Sequence, residues 1–322
     1  MIEEKKLRIG LIGCGRVAEN HILSISRCPG AVITAVGGGR HAEELAQRLG
    51  VPALPPEEVC TTDLTDAVFV LTPPAYHFTY AMRAIESGKH VMVEKPVSFK
   101  PEEPALLAAR AKEKNVVCFP GHSYLYLPEM RRFMDAASGG RLGRICYMYM
   151  SEVYYMPPGM IEKYAGPETD VLCHDLYLSL HFLGVPVRIS AYRTSFPTEE
   201  IPTGGPQVAV MMEYASGAVA QLMISWACED HTTDPFTFKV RLIGTNASLH
   251  FSRSDFMEKE GKEYVQGMYQ EMFDREVSYF VREAVREHTA PLSGMEDAAL
   301  VSRLHNLVFT SINEKRTVEV QI

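Results

Sequence analysis

Apolar residues recur with two different spacings along the first third of the chain. Short β-rich runs predict strands over residues 7–12, 32–36, 67–71, 91–93 and 116–119. Helical spacing predicts helices over 19–26, 42–49, 77–87 and 104–114. Because strands that alternate with amphipathic helices form βαβ units, this pattern predicts an α/β fold with a doubly wound parallel sheet of the Rossmann type.

The pattern changes beyond Gly121. Helices are expected over 127–137, 170–183 and 296–313, and strands over 189–195, 208–214, 219–226, 238–243 and 317–322. A length of 322 residues also exceeds the typical domain of about 150. We therefore expect two domains, a doubly wound one over 1–121 and an α+β domain with a large, mostly antiparallel sheet over 122–322.

The first predicted strand runs directly into a glycine turn, and a helical pattern follows. This turn reads Gly13-Cys-Gly15-Arg16-Val17-Ala18. The first glycine permits the tight turn, the second lets the backbone approach a pyrophosphate, and the small alanine allows close packing of helix and strand. The alternative is an ordinary glycine-rich turn. Its position between a strand and a helix favours a site for NAD(P), with Gly13, Gly15, Arg16, Val17 and Ala18 as binding residues.

Composition excludes several other classes of protein. The formal net charge of −8 argues against non-specific binding to nucleic acid or to anionic membranes. The first residues carry no apolar secretory segment, and no apolar run approaches the length of a membrane span, so we expect a cytoplasmic protein. None of the seven cysteines stands in a C-x-x-C pair, which favours reduced thiols over disulfides or a zinc cluster.

Two short polar motifs follow predicted strands of the first domain. Thr72-Pro73-Pro74 precedes the helix that begins at His77, and Glu94-Lys95-Pro96 follows the strand over 91–93. Ligands of doubly wound sheets bind beyond the carboxyl ends of the strands. We therefore expect these residues to line the cofactor site and Lys95 to face the nicotinamide. The alternative for Lys95 is a surface ion pair with Glu94.

A second candidate lies in the predicted helix over 170–183. Asp170 and His174 are four residues apart, so both side chains would leave one face of a helix. Histidine titrates near neutral pH and can exchange a proton with a substrate hydroxyl. The alternatives are an ion pair on the helix surface and a hydrogen-bonded histidine in the core.

These motifs together resemble the Gfo/Idh/MocA family of NAD(P)-dependent oxidoreductases over almost the whole chain. The motifs that carry the resemblance are Gly13-x-Gly15-x-x-Ala18, the segment from Asp66 to His77 with Thr72-Pro73-Pro74, Gly88 to Pro96 with Glu94-Lys95-Pro96, and Asp170-x-x-x-His174. The resemblance implies that Lys95, Asp170 and His174 are catalytic and that the Lys95–Pro96 bond is cis. It also implies hydride transfer to or from a sugar, cyclitol or related polyol.

The chain departs from the usual family pattern near these residues. Leu172 stands where a glycine is common and Tyr177 where a second aspartate is common, while His122 replaces an asparagine and is followed by Tyr124. We expect His122, Tyr124 and Tyr177 to be candidates for lining the substrate pocket. The alternatives are helix packing for Tyr177 and hinge packing for the other two.

The end of the second strand determines the choice between NAD and NADP. An acidic residue there would bind the ribose hydroxyls of NAD. The chain instead reads Val36-Gly37-Gly38-Gly39-Arg40, without a carboxylate. Arg40 suits the 2′-phosphate of NADP, and we expect NADP to be favoured over NAD, with Gly38 and Arg40 at the cofactor. Arg40 could also stack on the adenine or point to solvent.

No metal is expected. Glu152, Asp170, His174 and His181 have ligating side chains, but their spacing forms no compact ligand motif. The main hypothesis is an oxidoreductase acting on a small polar, hydroxylated substrate, and the alternative is a non-catalytic protein that responds to NAD(P). A homodimer or homotetramer is expected through the open face of the second sheet.

Overall fold

The computed structural model describes residues 5–228, 238–253 and 267–321. The chain forms two compact units, here called the first unit (Met1–Leu127 and Gln270–Ser302) and the second unit (Pro128–Tyr269 and Arg303–Ile322). The sequence suggested one boundary near Gly121, whereas the chain divides after Leu127 and returns to the first unit over 270–302. The return is anchored by hydrogen bonds that Asn20 and Ser24 of the first helix donate to Gln270 Oε1 and Asp274 Oδ1.

The first unit contains a six-stranded sheet in which every pair is parallel. Its strands are β1 (Leu7–Ile12), β2 (Ala31–Gly37), β3 (Ala53–Leu54), β4 (Ala67–Val70), β5 (His90–Val93) and β6 (Cys118–Pro120). The order β3-β2-β1-β4-β5-β6 is that of a doubly wound dinucleotide-binding fold, so the predicted fold class is confirmed. Only the two-residue strand β3 was not predicted, because it is too short to show a period.

Helices cover this sheet, and their apolar sides form its core. Those up to residue 127 are α1 (Arg16–Arg27), α2 (Ala42–Leu49), α3 (Pro56–Val59), α4 (His77–Glu86) and α5 (Glu102–Lys114). All four residues of β4 are buried, because helices pack on both faces of a doubly wound sheet. Gly88 has a φ of +72°, as expected of the glycine that ends a helix.

The second unit is built on a seven-stranded sheet in the order β12-β11-β7-β10-β9-β8-β13. Its strands are β7 (Ile145–Val153), β8 (Arg188–Phe196), β9 (Gly205–Glu213), β10 (Val219–Ser225), β11 (Phe238–Gly244), β12 (Ser248–Arg253) and β13 (Val318–Glu319). All pairs are antiparallel except β7 with β10, which confirms a mostly antiparallel sheet. Residue 322, the end of the predicted last strand, lies outside the described residues.

The remaining helices are α6 (Pro128–Ser138), α7 (Pro158–Tyr164), α8 (Pro167–Asp170), α9 (Leu172–Leu183), α10 (Gly267–Tyr279) and α11 (Met295–Glu314). The chain continues from α10 into a π-helix, Phe280–Arg286. Such helices are rare and need a specific packing environment. Here Phe280 is buried and packs edge-to-face on Phe69 of β4 and on Phe119 of β6. Among the described helices, none has both the length and the apolar character required to cross a membrane.

The two faces of the second sheet differ in burial. Ile189 and Ala191 of β8 are buried on one face, against which α8 and α9 pack. Tyr192 and Phe196 of β8 and Met211 of β9 are exposed by 68%, 57% and 39%. Part of this sheet therefore presents large apolar side chains to solvent in the single chain.

Candidate functional site

The glycine turn between β1 and α1 depends on Gly13. Its φ is +107°, and a Cβ atom at this position would lie 2.6 Å from both the carbonyl carbon and oxygen of Leu71. The Gly13 N–H also donates to the Gly37 carbonyl at 2.8 Å. Only glycine fits this conformation and this approach, so the turn can lie against the ends of β2 and β4.

Gly15 is required for a different reason. Its φ of −86° suits any residue, and a Cβ atom there would have no atom of the described residues within 4 Å. Gly15 is exposed and is the N-cap of α1, where no side chain caps the helix. The N–H groups of Arg16 and Val17 in the first turn are therefore available to an anion such as a pyrophosphate, whereas the Ala18 N–H donates to the Gly15 carbonyl at 3.1 Å. The protein gives no internal reason for a glycine here, and this fits close approach by NAD(P).

The end of β2 carries no acidic side chain. Gly38 and Gly39 have φ angles of +75° and +85°. A Cβ atom added at Gly38 would lie 3.5 Å from the Gly13 nitrogen. Arg40 follows and is exposed, without a hydrogen bond or ion pair to any residue that the structure describes. The nearby Glu44 is 3.4 Å from His41. A guanidinium is thus the charged group next to this strand end.

The segment Thr72-Pro73-Pro74 is braced by His77. This histidine is buried, and its Nε2 and Nδ1 lie 2.6 Å from the Thr72 carbonyl and 3.0 Å from the Pro96 carbonyl. Burial lowers the pKa of His77, although both carbonyls favour its protonated form. The ring thus connects the segments after β4 and β5, and the expected contact of His77 with the cofactor stays a prediction. The Thr72 hydroxyl is buried and has no partner among the described residues. It can therefore form a hydrogen bond with a ligand.

A buried hydrogen bond between a histidine and a carboxylate holds the turn after β5. The Nε2 of His21, on α1, donates to Glu94 Oε1 at 2.7 Å, and the Lys95 N–H donates to Glu94 Oε2 at 3.0 Å. Burial alone would raise the pKa of Glu94, but the hydrogen bond and charge of His21, with the charge of Lys95, lower it below its ordinary value. Glu94 is therefore an internal anion with both oxygens engaged, and it supports the turn rather than forming a surface pair.

Lys95 follows this anion and is half-buried. The Lys95–Pro96 peptide bond is cis, as the family resemblance implied. Gly121 of the next segment approaches closely, because a Cβ there would lie 3.3 Å from the Glu94 Cα. The backbone from which Lys95 projects is therefore packed on one side and hydrogen-bonded to its own preceding carboxylate.

His122 and Tyr124, two pocket candidates, are buried in the first unit. His122 Nδ1 lies 2.7 Å from the Ser293 hydroxyl. Burial lowers the pKa of His122 to about 3, despite the opposing charge of Glu94, so this imidazole stays neutral at physiological pH. Both side chains are buried, which agrees with the alternative of packing residues, and their place in the substrate pocket stays a prediction.

In the second unit, the predicted helix over 170–183 begins later than expected. Asp170 is the last residue of the short helix α8, and α9 begins at Leu172. Val171 between them keeps right-handed helical angles, and the His174 N–H donates to its carbonyl at 2.9 Å. Gly166, with a φ of +99°, is the N-cap of α8, and Val171 separates α8 from α9. Asp170 is partly exposed, and His174 is buried within α9.

His174 is joined to the third pocket candidate. Its Nδ1 lies 2.7 Å from the Tyr177 hydroxyl, one helical turn further along α9. Tyr177 is only 1% exposed, so its hydroxyl serves His174 and not the surface. Asp175, the residue after His174, is fully buried, and burial raises its pKa to about 8. A carboxyl in this environment is largely uncharged at neutral pH.

The residues considered for a metal differ in their surroundings. Glu152 is buried on β7, whereas His181 is exposed at the end of α9. In the described parts of the chain, no three histidine, cysteine or carboxylate side chains form a group that could hold a metal ion.

Sequence reasoning missed His21 and Glu276. His21 belongs to the buried side of α1 with Ala18 and Ile25, and a histidine within such an apolar stripe was the available signal. Glu276 of α10 is fully buried, and no described residue bonds its carboxyl oxygens. Burial and the charge of Glu94 raise its pKa well above the ordinary value. No local pattern could have linked a residue so far along the chain to Glu94.

The two glycines of the turn should respond differently to the same change. Gly13→Ala forces an unfavourable φ and a backbone clash, so it should lower the free energy of unfolding by about 2 kcal/mol or more. Gly15→Ala meets open space, so unfolding should change by less than about 0.5 kcal/mol while NAD(P) affinity falls about 10-fold or more. Urea unfolding and cofactor titration measure both. Unchanged affinity in Gly15→Ala would contradict the placement of the pyrophosphate.

The sequence matches two models of one protein family. Residues 7–122 match the Gfo/Idh/MocA oxidoreductase family with an NAD-binding Rossmann fold, and residues 130–250 match the Gfo/Idh/MocA C-terminal domain. The scyllo-inositol 2-dehydrogenase (NAD(+)) of Bacillus subtilis is 27% identical, with 92% of this chain and 91% of that protein covered. The myo-inositol 2-dehydrogenase of Thermotoga maritima is 23% identical, with 98% and 99% covered.

Solved structures share the fold. The scyllo-inositol dehydrogenase of Lactobacillus casei, with bound NAD(H) and scyllo-inositol, superposes with a TM-score of 0.83 at 18% identity and covers 98% of this chain and 99% of its own. The two family matches follow one another and together span most of the chain. The protein therefore belongs to the Gfo/Idh/MocA family of NAD(P)-binding oxidoreductases.

Proposed function

We propose that this oxidoreductase transfers hydride between NAD(P) and a secondary alcohol or carbonyl of a cyclitol, sugar or related polyol. Two relatives that align with more than nine-tenths of the chain are named as inositol 2-dehydrogenases, and this supports the substrate class. The observation that carries the proposal is the turn after β5, where the buried Glu94–His21 pair holds the backbone of Lys95 at the carboxyl edge of the parallel sheet.

Lys95 would stabilise the substrate oxygen. Ligands of doubly wound sheets bind outside the carboxyl ends of the strands, and Lys95 comes two residues after β5. Its ammonium can donate to the oxygen and balance the negative charge that grows there as the proton leaves. The buried Glu94 restrains the backbone, so this charge is held near one position. A positive charge that is already in place stabilises the transition state without a cost for moving the lysine during the reaction.

His174 would exchange the proton. When bound, the nicotinamide supplies or accepts the hydride. The imidazole can take the hydroxyl proton in oxidation and return it in reduction, because histidine changes protonation near neutral pH. Asp170 stands at the end of α8 and would orient the same hydroxyl as a hydrogen-bond acceptor. The cofactor would be held by the first turn of α1 and by Thr72.

Substitution of the two proposed catalytic residues tests this division of roles. Lys95→Ala and His174→Ala should each lower turnover by about 100-fold or more, with cofactor affinity nearly unchanged. Asp170→Asn should mainly raise KM and lower turnover moderately. Lys100→Ala and His181→Ala are matched controls, because Lys100 and His181 are exposed. Near-normal turnover in His174→Ala would show that another group handles the proton.

The same assay separates an enzyme from a protein that only senses NAD(P). Wild-type protein is incubated with each of a panel of inositols and sugars, and nicotinamide absorbance is followed. An enzyme changes the absorbance with at least one of them. A sensor would bind the cofactor and turn over none, and that outcome would contradict the proposal.

We further propose that the cofactor site accepts the 2′-phosphate of NADP. The support is the end of β2, where two glycines in left-handed conformations lead to the exposed Arg40 and no carboxylate is present. A carboxylate would repel the phosphate, whereas a guanidinium forms charge-assisted hydrogen bonds with it. The relative from Bacillus subtilis is named for NAD(+), so the measured preference of this chain decides between the two cofactors.

Arg40→Ala should weaken NADP far more than NAD. Loss of a charge-assisted hydrogen bond costs roughly 1.5 to 3 kcal/mol, which is about 10-fold or more in affinity. Kd values for both cofactors are measured by titration, with Arg48→Ala as a control, because Arg48 is exposed and pairs with Glu19. Equal losses for NADP and NAD would contradict a phosphate contact at Arg40.

Association through the second sheet is also proposed. Tyr192, Phe196 and Met211 leave a row of large apolar side chains in contact with water, and a second copy could bury them. Tyr192→Glu should shift the chain to a smaller species in sedimentation velocity. Leu106→Glu is the control, because Leu106 is 52% exposed on α5 of the first unit. An unchanged sedimentation coefficient in Tyr192→Glu would exclude this face as the interface.

A further inference from the structure

One aromatic side chain is exposed at the carboxyl edge of the first sheet. Tyr76 is 53% exposed and ends a short 3₁₀ helix, Pro74–Tyr76, that follows β4. Among the described residues of the first unit, no other aromatic side chain is exposed. Ligands of doubly wound sheets bind at this edge, so the ring stands where a ligand could cover it.

The ring of Tyr76 is held in place by its own unit. The Tyr76 N–H donates to the Pro73 carbonyl at 3.0 Å, and the next residue, His77, is buried against the Thr72 carbonyl. The Tyr76 ring also stacks on the ring of Tyr80, with centroids 6.3 Å apart and planes 27° from parallel. More than half of Tyr76 remains exposed, so part of its ring surface is available to a flat ligand.

The partner of this ring, Tyr80, lies beside α3. Cys60, which directly follows α3, donates its thiol to the Tyr80 carbonyl at 3.5 Å. Burial and the nearby charge of Glu57 on α3 raise the pKa of the Tyr80 phenol. Both observations place the side of α4 that carries Tyr80 next to α3.

The same short helix also touches the end of β2. It begins at Pro56, and a Cβ atom added at Gly38 would lie 3.3 Å from the Pro56 Cγ. In doubly wound folds, the end of β2 binds the ribose of the adenosine half of the cofactor. Because α3 connects that strand end with Tyr80, and Tyr80 stacks on Tyr76, the exposed ring lies toward the adenosine half.

We propose that Tyr76 stacks on the adenine of bound NAD(P) and strengthens the binding of NAD and of NADP by the same factor. The two cofactors share the adenine and differ at the 2′ position of the ribose, so a ring on the adenine does not distinguish them. The proposal rests on the proposed placement of the cofactor, with the pyrophosphate at the first turn of α1 and the adenosine ribose at the end of β2. The choice between the two cofactors is left to Arg40.

A tyrosine suits this contact for a physical reason. Stacking needs a large flat surface that loses little conformational freedom, and a phenol ring on two side-chain torsions provides it. The stack on Tyr80 restrains the Tyr76 ring further, so less freedom is lost when a base covers it. Stacking of a base on an aromatic side chain changes affinity by about 10-fold.

Binding of ADP-ribose tests the contact without the nicotinamide and without turnover. Tyr76→Ala should raise the Kd of ADP-ribose about 10-fold, and the Kd of NAD and of NADP by the same factor, because the stacking surface is lost. Tyr76→Phe keeps the ring and should stay within about twofold of wild type. Leu64→Ala is the matched control, because Leu64 is 43% exposed but precedes β4, at the opposite edge of the sheet. Calorimetric titration measures each Kd.

Fluorescence reports the stack directly. The chain has one tryptophan, Trp226, which is fully buried in the second unit and provides a constant background. Tyr76→Trp adds an indole at the proposed contact, and its emission should fall as ADP-ribose binds, because a stacked adenine quenches indole fluorescence. Leu64→Trp adds an indole at the opposite edge, and its emission should stay unchanged at the same concentrations of ADP-ribose.

Five results would contradict the role of Tyr76. They are no binding of ADP-ribose by wild type, an unchanged Kd in Tyr76→Ala, an equal loss of affinity in Tyr76→Phe, a much larger loss for NADP than for NAD, and unquenched emission in Tyr76→Trp. Thermal unfolding checks that each variant is folded, which we expect for changes at an exposed side chain.

The proposed reaction fails in a different way. Absence of turnover with inositols and sugars would overturn that reaction and leave the ADP-ribose result standing. Unchanged cofactor affinity in Gly15→Ala would instead overturn the placement of the pyrophosphate.

Discussion

The buried carboxylate of Glu94 holds the turn at the carboxyl end of β5 in the first unit. A buried charge costs several kcal/mol unless it is paired and hydrogen-bonded. Glu94 meets this requirement with the His21 imidazole and the Lys95 N–H. The His21 ring lies between Phe69 and Phe273, with centroids 5.6 Å and 5.1 Å away, so it cannot turn aside. The pair ties the turn after β5 to α1.

The two proposed catalytic residues, Lys95 and His174, have contrasting partners. Lys95 follows an ionised carboxylate, whereas His174 is joined to a neutral phenol. A carboxylate lies beside the lysine backbone and a phenol beside the histidine ring, so the two side chains stand in different electrostatic surroundings.

Membership of the family accounts for the two sheets and for the class of reaction. The properties particular to this chain lie in a few side chains on that shared framework. Arg40 occupies the end of β2 where no acidic residue is present, and Tyr177 occupies the position behind His174. Neither side chain carries a negative charge, and both stand on the framework that the family shares.

The sequence by itself determined the features that depend on neighbouring residues. Periodicity predicted the parallel sheet, and Gly13 and the residues from Glu94 to Pro96 identified its functional edge, because strand alternation and turn conformation are local. It missed β7 (Ile145–Val153), although Met148 and Met150 alternate with exposed or half-buried neighbours. Only the tertiary structure paired His21 with Glu94 across 73 positions, and Asn20 with Gln270 across 250. Such contacts are decided by which buried polar groups can satisfy one another once the chain has folded, and no local pattern records that choice.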